Sequence, residues 1–222
     1  MDAIAFKQFA YEKNTKARYE EFEFRLHYRT NDDDRLPLKV WSMLLTKLES
    51  ALSKERIIPW VQFVHFHWEQ HDKSMRTTRD SDGNVLHIFK KKRCGNCEDR
   101  KEGIPWYFSW AWSTEMQLTN GLPFIVNTTS VRIVQRKSFI SQSKQWRLDF
   151  SIEWVAPNYE KAIESQFNTF PVPSIELEFI GDRSLLRQDE NKLMTEALDI
   201  FSKLLDIPPE ELKKKPIDDE LV

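Results

Sequence analysis

The 222-residue chain has few of the features that would place it at a membrane or outside a cell. No apolar run approaches the ~20 residues that a helical span requires. The opening MDAIAFKQFAYEKNTK has neither the apolar core nor the small-residue cleavage site of a secretory signal. Cysteine is scarce: Cys94 and Cys97, in CGNC, are the two present. That excludes a disulfide scaffold and favours a reducing compartment, nuclear or cytoplasmic. Neither sign of charge dominates, since 33 Lys and Arg meet 35 Asp and Glu for a net charge of -2. A non-specific polyanion binder would show a basic excess instead. Internal repeats and low-complexity segments are also missing.

What is present is apolar and charged in comparable measure. Hydrophobic residues make up 40%, with eight Trp and fifteen Phe, enough to fill a core. Charged residues reach 31%, above the usual quarter. Helical spacing of apolar residues predicts helices over Ala3–Lys13, Pro37–Ser53, Asn158–Phe167 and Leu186–Leu205. Alternation, or richness in aromatic and β-branched residues between turn signals, predicts strands over Arg18–Tyr28, Trp60–Trp68, Met75–Asp80, Asn84–Lys92, Pro105–Ser113, Ser130–Ile140, Gln145–Val155 and Ser174–Ile180. About eight strands on hairpin-length loops predict a mainly β (α+β) fold, an antiparallel eight-stranded barrel or tunnel with helices packed outside. Residues 1–206 form the expected domain. Residues 207–222, PPEELKKKPIDDELV after Ile207, read as a charged tail or linker.

The strands carry the chemistry. In the first, Glu21, Glu23, Arg25 and His27 share one face, and Phe22, Phe24 and Leu26 the other. Near the end the pattern returns, with Glu176 and Glu178 backed by Ile175, Leu177 and Phe179. Between them Arg147, Asp149, Ser151 and Glu153 alternate with Trp146, Leu148, Phe150, Ile152 and Trp154. Arg132 and Arg136 lie on one more strand, and Arg76 and Lys90 on two others. If the apolar faces point outward to helices, the charged faces line the interior. Charges held there cost several kcal/mol each unless they pair or meet a guest. Carboxylates suit Mg²⁺ or Mn²⁺, and a metal bridges to phosphate oxygens that Arg and Lys hold from the other side. The alternative is a half-exposed strand set whose charges meet solvent.

These residues resemble the triphosphate tunnel metalloenzymes, most closely the metal-dependent RNA triphosphatases of fungal and viral mRNA capping. The hallmark is a Glu-x-Glu strand near each end with basic strands between. It stands here as Glu21-x-Glu23-x-Arg25 and Glu176-x-Glu178, with VRIVQRKSF and Arg147-x-Asp149-x-Ser151 between them, over about Tyr19 to Ile180. The resemblance implies hydrolysis of the γ-phosphate from the 5′-triphosphate end of RNA, in a nuclear, cytoplasmic or viral setting. It implies Mg²⁺ or Mn²⁺ on Glu21, Glu23, Glu176 and Glu178. Arg25, Arg76, Lys90, Arg132, Arg136, Arg147, Asp149 and Glu153 would act on substrate and water. Further implied partners are a guanylyltransferase or methyltransferase, separate or fused, and no membrane. Family members carry a third glutamate two residues before the last pair; Ser174 stands there here, leaving Glu153 or Glu115 to substitute. Nucleotides, thiamine triphosphate and tripolyphosphate are rival substrates, and a non-catalytic RNA- or partner-binding barrel is the rival class.

The remaining features have plainer readings. CGNC is half of a four-ligand zinc site at most, with His65, His67 and His71 as conceivable partners, and otherwise a tight loop with two thiols. WYFSWAW reads as packing, and Lys91–Arg93 as a solvated hairpin end.

Overall fold

The computed structural model describes residues 18–29, 35–52, 56–70, 73–97, 103–118, 128–182 and 190–212. The predicted helix over Ala3–Lys13 and the start of the one over Leu186–Leu205 lie outside them. Eight strands are found: β1 Arg18–Tyr28, β2 Ile57–Gln70, β3 Lys73–Asp80, β4 Val85–Cys97, β5 Trp106–Leu118, β6 Thr128–Ile140, β7 Trp146–Ala156 and β8 Val172–Phe179. Helix α1 spans Leu38–Ala51, α2 Tyr159–Asn168, α3 Glu190–Leu205 and α4 Pro209–Leu212. Among the described residues no helix is long and apolar enough to cross a membrane.

The strands close into an antiparallel barrel in the order β1-β5-β4-β3-β2-β6-β7-β8. Closure comes from β1, which pairs along its whole length with β5 on one side and over Glu23–Leu26 with β8 on the other. Two strands remote in sequence thereby become neighbours. The β3–β4 turn is set by Asp80, whose carboxylate accepts from the backbone of Asp82 and Asn84 and from the Asn84 amide. Gly83, at φ +85, supplies the left-handed residue that a side chain disfavours.

Burial decides which way the faces point. Phe22, Phe24 and Leu26 of β1, Leu148 and Phe150 of β7, and Ile175, Leu177 and Phe179 of β8 turn outward into one core. There they meet Trp41, Leu44 and Leu45 of α1 and Leu193, Ala197, Phe201 and Leu204 of α3. A second cluster seats Ala162 of α2 on Val64, Val131, Ile133 and Trp154. Asn158 caps α2 by accepting the Lys161 N–H at 3.0 Å. Each large side chain so buried contributes about 1.5–3 kcal/mol. The barrel is therefore apolar outside and polar inside, the inverse of a small filled barrel. The packed chain also continues past residue 206, because Leu212 of α4 is buried in the main core.

CGNC departs from expectation. It is not a tight loop but the end of β4, where Cys94–Cys97 pair with Trp112–Ser109 after a register shift between Lys92 and Cys94. The aromatic-rich β5 supplies a partner strand long enough to carry the ladder through it. The side chains of Cys94 and Cys97, and all of His71, lie outside the described residues.

Candidate active site

With the apolar faces outward, strand alternation sends every second residue into the lumen. The result is a cavity of about 280 Å³ lined by seven carboxylates and five guanidiniums. The carboxylates are Glu21, Glu23, Glu115, Asp149, Glu153, Glu176 and Glu178; the guanidiniums are Arg25, Arg76, Arg132, Arg136 and Arg147. Every site residue expected from the sequence lines it except Lys90. The Lys90 backbone stands in register with Glu115, but its side chain lies outside the described residues.

The two glutamate pairs meet at the closing seam. Glu23 is directly opposite Glu178, and Arg25 opposite Glu176. One strand further round, Arg147 faces Glu178 and Asp149 faces Glu176. Each of these two rows across three adjacent strands holds two acidic groups and one basic one, and ion pairs follow. Arg25 donates to Glu176 through Nε at 2.9 Å, and Arg147 pairs with Glu178. Asp149, only 2% exposed, accepts Arg147 through Nε and Nη2 at 2.9 Å each and Arg136 Nη1 at 3.2 Å. That carboxylate fixes the aim of two arginines. Arg136 Nε also donates to Ser151 Oγ at 3.1 Å. Towards the other wall, Arg76 pairs with Glu115 and Arg132 with Glu153, at 3.2 and 3.3 Å.

The electrostatics show an anionic excess. Burial, reinforced by Glu21 and Asp149 and opposed by Arg147 and Arg136, pushes the Glu178 carboxyl up to about 7. Glu176 holds the Arg25 guanidinium above its ordinary range. For Arg147, burial works against the charge, but hydrogen bonding and attraction to Asp149, with Glu178 and Glu21 beyond, raise it overall. Like charges directly opposite on paired strands destabilise one another, so the Glu23–Glu178 pair is a natural cation seat. Two more carboxylates than guanidiniums line the cavity, the surplus that one divalent ion neutralises. Donor chemistry agrees, since all-oxygen ligands suit Mg²⁺ or Mn²⁺. Among the described residues no three acidic, His or Cys groups stand ready as a metal cluster, and Glu176 and Glu178 are paired with Arg25 and Arg147. The residues fit the ion in kind and in charge.

Two further lumen residues are histidines that the sequence offered only as conceivable partners of CGNC. His65 and His67 of β2 line the cavity. His65 Nδ1 lies 2.9 Å from Thr78 Oγ1. Burial, with Arg76 and Arg136 nearby, drops its pKa to about 2; burial and Arg132 drop that of His67 to about 4. Their shared face was visible in the alternation of WVQFVHFHW, but nothing in the sequence says whether that face looks inward. Ser174 sits across from Ser151 on the lumen face, so hydroxyls occupy the level where the family's third glutamate would stand.

No protein-family model matches the chain, and no curated protein matches it in sequence. Solved structures do match in fold. The Mimivirus capping enzyme triphosphatase aligns with a TM-score of 0.59 at 14% identity, over 90% of this chain and 93% of that one. The S. pombe RNA triphosphatase Pct1 aligns with a TM-score of 0.58 at 13% identity, over 90% and 89%. Pct1 in complex with the Spt5 CTD gives 0.58 at 14% identity, over 90% of each chain. The likeness at this identity is one of fold, and it supports the resemblance to triphosphate tunnel RNA triphosphatases.

Proposed function

We propose that this chain hydrolyses the γ-phosphate from the 5′-triphosphate end of RNA, the first step of mRNA capping, with the help of Mg²⁺ or Mn²⁺. The observation behind this reading is the closing seam: both glutamate pairs face one lumen, in register, opposite a wall of arginines. A non-catalytic barrel would carry its carboxylates on the outside, whereas here they line the cavity.

Glu21, Glu23, Glu176 and Glu178 would hold the ion, whose chemistry when bound is to neutralise phosphate charge and polarise the γ-phosphoryl group. Arg76, Arg132, Arg136 and Arg147 hold and screen the phosphate oxygens, a pre-set electrostatic complement to the transition state. Asp149 keeps Arg147 and Arg136 aimed. A carboxylate, Glu176 or Glu153, takes a proton from the attacking water. The water oxygen bonds to the γ-phosphorus as the bond to the β–γ bridging oxygen breaks in line, leaving orthophosphate and a diphosphate end. In a capping setting, a guanylyltransferase, bound or fused, would act on that diphosphate end.

The test is phosphate release from triphosphate-ended RNA, ATP and tripolyphosphate, each with Mg²⁺, Mn²⁺ or EDTA. Preference for RNA supports the capping reading. Preference for ATP or tripolyphosphate reassigns the substrate within the fold, and no release from any of the three refutes hydrolysis.

A further inference from the structure

The wall of the lumen opposite the glutamate seam is built by β2, β3 and β6, and it holds three nitrogens with an unmet need. His67 Nε2, Arg76 Nε and Arg132 Nε are all shut off from solvent, and none has a hydrogen-bond partner in the structure. Burying such a group unpaired costs about 1–3 kcal/mol, more if charged. All three side chains line the same cavity. Arg76 stands directly across from His67 on β3, and Arg132 of β6 is in register with His65. Each arginine is also tied to a carboxylate, Arg76 through Nη2 to Glu115 and Arg132 through Nη1 to Glu153. With those pairings made, both Nε–H groups remain without a partner. His65, by contrast, is satisfied by Thr78. The backbone of His67 is pinned too, its carbonyl accepting from Thr129 Oγ1 at 3.1 Å.

We propose that His67 is a substrate-binding residue, an uncharged donor whose Nε2–H joins Arg76 and Arg132 in gripping an oxygen of one phosphoryl group. The inference rests on the polyphosphate reading above and adds a residue to it. Three nitrogens from three adjacent strands line one cavity with no partner in the protein, and a phosphate oxygen accepts several hydrogen bonds at once. Burial and the two flanking guanidiniums keep the imidazole neutral at working pH. His67 therefore contributes direction without adding charge to a wall that is already cationic.

The experiment is calorimetric binding of the β,γ-imido analogue of ATP with Mg²⁺ present, and of tripolyphosphate without it, to the wild type and to His67→Ala, His67→Phe and His67→Gln. Gln can place an amide nitrogen near the position of Nε2; Phe keeps the ring and removes the donor. The expected result is affinity about ten- to a hundredfold weaker for Ala and Phe, with much of the loss restored by Gln. The loss for Phe should persist at high salt, whereas a loss on removing a guanidinium should shrink as salt screens it. Wild-type affinity in the Phe variant, or equal impairment in Gln and Ala, overturns the role of His67 while leaving the polyphosphate reading standing. Failure of the wild type to bind either ligand refutes that reading, and the His67 assignment with it.

Discussion

Glu23 of the first strand lies directly across from Glu178 of the last, at the seam that closes the barrel. Two residues 155 positions apart in the numbering are thus paired, like charge to like, in a buried lumen. Such a pair is tolerated where a cation shares it.

Removing either partner should expose that role. Glu23→Ala or Glu178→Ala is expected to lower phosphate release by at least ~100-fold, the scale of a lost electrostatic stabiliser. The circular dichroism spectrum should stay that of the wild type, because the packing faces of β1 and β8 are untouched. Near-normal turnover in both variants would defeat the seam as the reactive centre.

Metal removal gives an independent check. Negligible turnover is expected in EDTA, restored by Mn²⁺ or Mg²⁺. Titration calorimetry should show the ion binding the wild type and binding Glu23→Ala weakly or not at all. Full activity in EDTA would contradict the assignment of the four glutamates.

Asp149 is expected to matter for stability as well as rate. It is the buried acceptor for both Arg147 and Arg136, and breaking a buried pair by removing one partner costs about 3–5 kcal/mol. Asp149→Ala should shift the urea midpoint accordingly and raise KM for the triphosphate. An unchanged midpoint would mean that the arginines keep their aim without it.

Stability should fall in acid through His65. Its folded pKa, about 2, lies below the ordinary 6.5, so protonation favours the unfolded chain. The stabilising contribution is complete above the unfolded value and is lost as pH falls below it towards 2, by up to about 1.4 kcal/mol per pH unit. Denaturant titrations of the wild type and His65→Asn from pH 7 to 4 should therefore differ in slope, with the variant flatter. Parallel profiles would place His65 in a more open setting than the structure shows.

The outer packing carries the barrel. Phe24 is fully buried and lies against Phe22, Phe108, Trp146 and Phe201. Phe24→Ala is expected to cost about 3–5 kcal/mol in chemical denaturation. A loss below about 1 kcal/mol would indicate that α3 does not seal this face.

Much of this architecture was legible in residue order. Period-two alternation marked the first strand and the last three, aromatic, β-branched and turn-residue content marked the four between, and the structure mostly lengthened them at their ends, by pairing that local pattern does not reveal. The extension of β4 through CGNC is the clearest case: the ladder continues because β5 lies beside it. The inward turn of His65 and His67 was illegible for a related reason. A strand with apolar and polar residues on both faces, as Phe63 and Val64 show, does not declare its inside.

Sequence alone determined which side chains travel together: Glu21 with Glu23 and Arg25, Glu176 with Glu178, and Arg147 with Asp149, because a strand's side-chain period is invariant. Tertiary structure alone decided that these groups face one another across a lumen. That outcome depends on helices α1 and α3 covering the aromatic faces, which drives the charged faces inward, and on β8 pairing with β1, which brings the two glutamate pairs side by side. Burial and closure are properties of the assembled barrel, and no local stretch of the chain contains them.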